Sequence, residues 1–235
     1  MKPVVFAGPT LFGLDRNRYC ADVDVRPPAA RGDVAKAVDE GARRIGIIDG
    51  LFGDRPSVGH KEILFALAAG VQVLGAASMG ALRAAECDAF GMIGIGKIYR
   101  SYRNGSRTAD ADVAIVHAPE ELGYRPLSEA MVDVEASLKR LRALGLIARE
   151  EHRTIVASAR SLHFSLRSWN AILQNTSTGH SRTAEIAVLL RRHRIDQKQI
   201  DAIELLAAIG RPRLRHRGVT PLGRAELNDT GFLNG

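Results

Sequence analysis

Val71-Gln72-Val73-Leu74-Gly75-Ala76-Ala77-Ser78-Met79-Gly80-Ala81-Leu82-Arg83-Ala84-Ala85-Glu86 decides the fold. A short apolar run passes through small residues and a serine into a stretch with helical spacing, the strand, turn, helix order from which parallel α/β sheets are built. Upstream, Val4-Val5-Phe6 and Ile45-Gly46-Ile47-Ile48 are further short apolar runs ending in Gly or Asp-Gly, as buried parallel strands read. Helical spacing over Asp33 to Arg44 and over His60 to Ala69 separates them. The expectation is an N-terminal open, mainly parallel α/β sheet over residues 1–125, with its active edge at the carboxyl ends of the strands. Turn residues gather there, at Gly8-Pro9, Pro27-Pro28, Asp49-Gly50 and Asp54-Arg55-Pro56-Ser57.

Beyond Pro126 the pattern turns helical. Met131, Val134, Leu138 and Leu141 make one apolar face with Gly145 as its stop, and further helices are expected near Ser161–Leu173, Arg182–Arg192 and Gln197–Ile209. Residues 126–210 therefore read as a helical region and 211–235 as a basic, extended tail. Gly94 to Gly105 fits no element, and Val113-Ala114-Ile115-Val116-His117 reads as one more strand.

The 235 residues are 46% apolar and 25% charged, ordinary for a folded protein. The N-terminal run is too short and too broken by Pro and Gly for a signal peptide, and no apolar run reaches membrane-spanning length, so the cytoplasm is the default. The formal charge of +7 is uneven: residues 1–126 hold 16 Lys/Arg against 15 Asp/Glu, and residues 127–235 hold 17 against 11. The C-terminal half is expected to attract an acidic partner. Arg182 to Ile209, with Arg191, Arg192 and Arg194 at its centre, has the outline of a helix-turn-helix, but no base-reading pattern accompanies it, and nucleic acid is not expected as a partner.

Ala76-Ala77-Ser78-Met79-Gly80 departs from the G-x-S-x-G nucleophile elbow only at its first position. A serine there stands at a helix N-terminus, where unpaired N–H groups, Met79's among them, can hold an oxyanion; serine is equally a favoured N-cap. Its base is sought in Gly59-His60-Lys61-Glu62-Ile63-Leu64, a helix start that becomes apolar nearly all round. Burial and the positive helix end both favour the neutral amine of Lys61, the form a general base requires; the alternative is a solvated Lys61 or one paired with Glu62. His60 faces the apolar side as a second base or a structural histidine, and His117 with Asp49 or Asp112 is the Ser-His-Asp alternative. Asp49 orients His60 or Lys61, or forms a turn. Arg83 reads as a carboxylate binder or a solvated helix residue, with Glu86 in support. Gly8-Pro9-Thr10 is too short for a phosphate loop. No metal or cofactor is expected, since the seven histidines form no paired motif; Asp110 and Asp112 remain a nonspecific oxygen pair. Cys20 and Cys87 read as reduced thiols, with persulfide carriage as the minor alternative.

Phe6-Ala7-Gly8-Pro9-Thr10, Pro27 to Val34, Ile47-Ile48-Asp49-Gly50-Leu51-Phe52, Val58 to Leu64, Gly75 to Glu86 and Phe90-Gly91-Met92 together resemble the TfuA core domain, over about residues 3–120. The C-terminal half resembles it only through a helical pattern and Arg167-Ser168-Trp169. The TfuA family accompanies YcaO enzymes in installing backbone thioamides. The resemblance implies a Ser-Lys hydrolase-like site that cleaves the C-terminal thiocarboxylate of a ThiS-like sulfur carrier, with Ser78 as nucleophile. Lys61 is the matching lysine and Lys97 the fallback. Met79, Gly80, Gly8, Thr10 and Arg83 are assigned to the oxyanion and substrate, with His60, Asp49 and Glu86 in support. Where the family often has two adjacent acids, this chain has Asp110-Ala111-Asp112. Expected partners are the YcaO enzyme, the sulfur carrier and a precursor peptide. The rival is a noncatalytic adaptor that docks peptide or carrier onto YcaO.

Overall fold

The computed structural model describes residues 1–51, 56–176 and 179–211. The tail expectation falls on residues outside these, as do Asp54 and Arg55 of one expected turn and Phe52 of one motif. Five strands, β1 (Val4–Phe6), β2 (Asp24–Arg26), β3 (Arg44–Ile47), β4 (Gln72–Gly75) and β5 (Ile93–Gly94), form one parallel sheet in the order β2-β1-β3-β4-β5. The helices are α1 (Arg16–Tyr19), α2 (Asp33–Asp39), α3 (His60–Ala68), α4 (Met79–Cys87), α5 (Gly96–Arg103), α6 (Met131–Ala143), α7 (Arg149–Ser161), α8 (Trp169–Gln174), α9 (His180–His193) and α10 (Gln197–Ile209). The expected parallel α/β sheet followed by helices is what the chain forms. No helix among the described residues is long and apolar enough to cross a membrane.

The chain divides into two units, residues 1–108 with the chain from Gln199, and residues 109–198. The first division falls before the expected 125/126 boundary, and α10 belongs mostly to the first unit. Its Ala202, Leu205, Leu206 and Ile209 pack with Val5, Ile48, Leu74 and Ala76 in one buried cluster. A Cβ on Gly46 would stand 2.8 Å from Leu205 Cδ2, so this glycine lets α10 lie against β3. The apolar face of α10 is thus spent on the sheet. On the opposite face, α4 packs against β3, β4 and β5, with α3 beside it and α2 beside α3. Both faces being covered, Val4, Val5, Ile45, Ile47, Val73 and Leu74 are all inaccessible.

In the second unit, Met131, Val134, Leu138 and Leu141 of α6 are fully buried against Ile155 of α7, Ile172 of α8 and Ile186 of α9. Gly145 ends α6 at φ 69°; its N–H donates to Arg142 O and that of Leu146 to Leu141 O, the paired bonds of a Schellman stop. Val113–His117 is not a strand. His117 makes only an isolated bridge to Pro126, and the Val116 N–H donates to the Ser128 hydroxyl at 2.8 Å.

Candidate functional site

The loops after β1, β3 and β4 meet at the carboxyl edge of the sheet, where the strand order reverses between β1 and β3. Asp49, 2% exposed, closes that crevice: its Oδ2 accepts the N–H groups of Gly8 and Thr10 at 2.9 and 3.0 Å, and its Oδ1 accepts the Thr10 hydroxyl at 2.6 Å. Gly8 and Thr10 thus spend their N–H groups on Asp49 and do not offer them to substrate, a correction to the expected oxyanion set. Ala29 N–H donates to Asp49 O and Leu51 N–H to Ala29 O, while Ala30 bridges to Ser57 and Arg31 N–H donates to Pro56 O. The Pro27–Val34 motif and the chain around Asp49 are one backbone assembly.

Ser78 follows β4 through a tight bend. The Ser78 N–H donates to Ala76 O at 2.8 Å across Ala77, which sits at φ 66°, a three-residue γ-turn with a left-handed centre that costs an L-residue roughly 1–2 kcal/mol. Small residues are required here sterically: a Cβ on Gly80 would lie 1.7 Å from Ile47 O, and one on Gly75 would lie 2.1 Å from Gly80 O. The Gly80 N–H donates to Ile48 O at 3.3 Å, so it too leaves the oxyanion set. The Met79 N–H, at the first position of α4 where helix geometry supplies no intrahelical acceptor, stays in it. Ser78 is the N-cap residue of α4, yet its side chain makes no capping hydrogen bond. The hydroxyl is therefore not spent on the helix, the role that competed with catalysis. Ser78 is 2% exposed.

Lys61 lies in the first turn of α3 and is exposed, so the burial from which its expected role started is absent. Lys97, in the first turn of α5, is exposed as well. His60 does not turn to the apolar side. Its ring, half exposed, places Nε2 2.8 Å from Glu86 Oε2, at a point about 12 Å along α4 from Ser78. Arg83 is not a free carboxylate binder: its guanidinium donates to Val58 O at 2.9 Å, to Glu86 at 2.5 Å and to the Ser57 hydroxyl at 3.4 Å. Arg83 and Glu86 thereby fasten residues 57–58 and the start of α3 onto α4.

One residue of this framework was not anticipated. Glu62 accepts the N–H of Gly59 at 2.8 Å and, through its other oxygen, those of Gly32 and Val34 at 3.0 and 3.1 Å. The signal was the Gly59-x-x-Glu62 spacing of a capping box. In the second unit His117 sets Nδ1 2.8 Å from Ala118 O and its ring edge-on to Tyr124, and Asp112 is buried while Asp110 is exposed. Both cysteines are buried; burial, and next the Glu86 carboxylate, push the Cys87 thiol up to about 11, and burial raises Cys20 against the pull of Arg16. Neither offers the thiolate that persulfide carriage needs. Among the described residues no group of three or more His, Cys, Asp or Glu is arranged to hold a metal ion.

The family model described as TfuA-like protein matches residues 49–168. The match begins at Asp49, takes in Lys61, Ser78 and Arg83, and runs on through Arg167 and Ser168, past the 3–120 core resemblance at its end and without residues 3–48 at its start. No curated protein matches the chain.

Proposed function

Because the chain belongs to the TfuA-like protein family, we propose that it is a hydrolase-like accessory protein of YcaO-dependent backbone thioamidation, releasing sulfide from a thiocarboxylated, ThiS-like sulfur carrier. The observation that carries this reading is the state of Ser78: a serine at the carboxyl edge of the sheet, at the start of α4, whose hydroxyl does not cap the helix. Ser78 Oγ attacks the thiocarboxylate carbon while Lys61 takes its proton. The Met79 N–H holds the oxyanion, the C–S bond breaks, and sulfur leaves with the proton as hydrosulfide. Water then cleaves the Ser78 ester, returning the serine and a carboxylate. The positive end of α4 favours the approach of an anionic tail.

A second reading, a noncatalytic adaptor for YcaO and its peptide or carrier, is favoured by the 2% exposure of Ser78. Purified chain mixed with thiocarboxylated carrier, without YcaO, separates the two. Sulfide release sustains the hydrolase, and its absence with retained carrier binding leaves the adaptor.

A further inference from the structure

A groove of about 710 Å³ runs between α8 and α9 of the second unit. On α9, His180, Ala184, Ala187 and Arg191 line it at spacings of three and four, a stripe about 16 Å long; Trp169 and Leu173 of α8 form the other wall. Two features of this groove lack their complement. The Trp169 indole Nε1 is closed to solvent with no hydrogen-bond partner among the described residues, a costly arrangement for a donor. Arg191 is exposed and makes no ion pair among the described residues, whereas Arg194 at the same end is held by Glu129 at 3.0 Å.

We propose that this groove docks an acidic amphipathic helix of a partner protein. Apolar side chains on one face of that helix fill the floor between Trp169, Leu173 and Ala187, and a carboxylate meets Arg191. The walls are helices whose backbone groups are bonded internally, so an extended strand would find no ladder here, while a helix arrives with its own backbone satisfied. The apolar floor does not suit a phosphate backbone, which needs cations along its whole track. Arg191, exposed and without an ion pair among the described residues, makes that end of the groove select an acid.

Trp169 is the chain's one tryptophan, so its emission reports on the groove alone. The probe is a synthetic helical peptide of about 20 residues with leucines at i, i+3, i+4 and i+7 and glutamates flanking them. Titration into the full chain is expected to change Trp169 emission saturably. Arg191→Glu and Ala184→Arg, both at exposed positions, are expected to weaken binding at least about tenfold with circular dichroism unchanged. A peptide with lysines in place of the glutamates is expected not to bind. No saturable change up to roughly millimolar peptide overturns the proposal. So do equal affinities for the variants or for the lysine peptide, or a response to duplex DNA in place of the peptide. None of these readouts depends on sulfide chemistry, so failure here and failure of the hydrolase reading are separate results.

Discussion

Thr10 donates its hydroxyl to Asp49 at 2.6 Å across the ends of β1 and β3, and both residues are nearly inaccessible to water. With the Gly8 and Thr10 N–H groups on the other carboxylate oxygen, Asp49 gathers three donors onto one buried anion. Asp49→Asn turns one of those acceptors into an NH2 facing donors, and is expected to cost about 1–3 kcal/mol in urea denaturation. Thr10→Val removes one donor. In a double-mutant cycle the two changes are expected to couple by at least about 0.5 kcal/mol; strict additivity would remove Asp49 from its bridging role.

The approach of Gly80 to Ile47 makes the next case. A Cβ on Gly80 meets a backbone oxygen at 1.7 Å, whereas one on Gly46 meets the far end of the Leu205 side chain at 2.8 Å. Gly80→Ala must displace α4 from β3 and is expected to lose about 3 kcal/mol or more, while Gly46→Ala costs about 1 kcal/mol as the Leu205 tip shifts. The ranking, read from denaturation midpoints, is the test, and equal costs would contradict the close approach.

Strands β1, β3 and β4 were legible because burial on both faces forces continuous apolar runs. Strand β2 was not, since as an edge strand it carries Asp24 and Arg26 around one Val25, and β5 has two residues. Val113–His117 has the composition of a strand but its backbone bonds to side chains and loops, which composition does not encode. The periodicity of α10 was legible and its destination was not: nothing in Gln197–Ile209 says that its apolar face covers a sheet nearly 200 residues upstream. At the site, the bend before Ser78 could be read from the small residues beside it. The directions of Arg83, His60 and Lys61 depended on which way α3 rolls against α4, a tertiary fact that local pattern leaves open.

Arg167 is the hub of the second unit. Its guanidinium, 4% exposed, donates to the carbonyls of Ala159, Ala111, Glu129 and Leu162 between 3.1 and 3.5 Å. Burial lowers its pKa against the opposing Asp112 carboxylate. Arg167→Leu orphans four carbonyls and is expected to destabilise by about 3 kcal/mol or more; Arg167→Lys, with fewer donors and no planar fork, falls between. Thermal unfolding that places the lysine variant level with wild type would show that charge alone suffices.

Asp133 supplies a pH signature. It is buried in the first turn of α6, where it accepts the Lys198 N–H at 3.0 Å. Burial, with Asp196 adding to it, pushes the carboxyl up to about 8, against the pull of Lys198 and Arg194. The unfolded chain releases this proton near pH 4. A raised folded pKa makes the contribution fully present below about pH 4 and lost as pH rises through about 8. Asp133→Asn keeps an oxygen for the Lys198 N–H and removes the titration. The stability difference between wild type and Asp133→Asn is therefore expected to shift against wild type from pH 4 to pH 8; a pH-independent difference would contradict it.

Ser78 gives the sharpest separation of chemistry from structure. Its hydroxyl does not cap α4, so Ser78→Ala carries no capping penalty. Under the hydrolase reading the same change removes the nucleophile, and sulfide release from the thiocarboxylated carrier is expected to fall to background. Lys61→Ala, at an exposed position, is expected to leave folding intact while release drops by about a hundredfold or more, the scale of a lost general base. Lys97→Ala is the matched control and should release sulfide at the wild-type rate. If Lys97→Ala fails and Lys61→Ala works, the base moves to α5 and the mechanism keeps its nucleophile; if Ser78→Ala releases sulfide fully, the covalent step has no residue to run on.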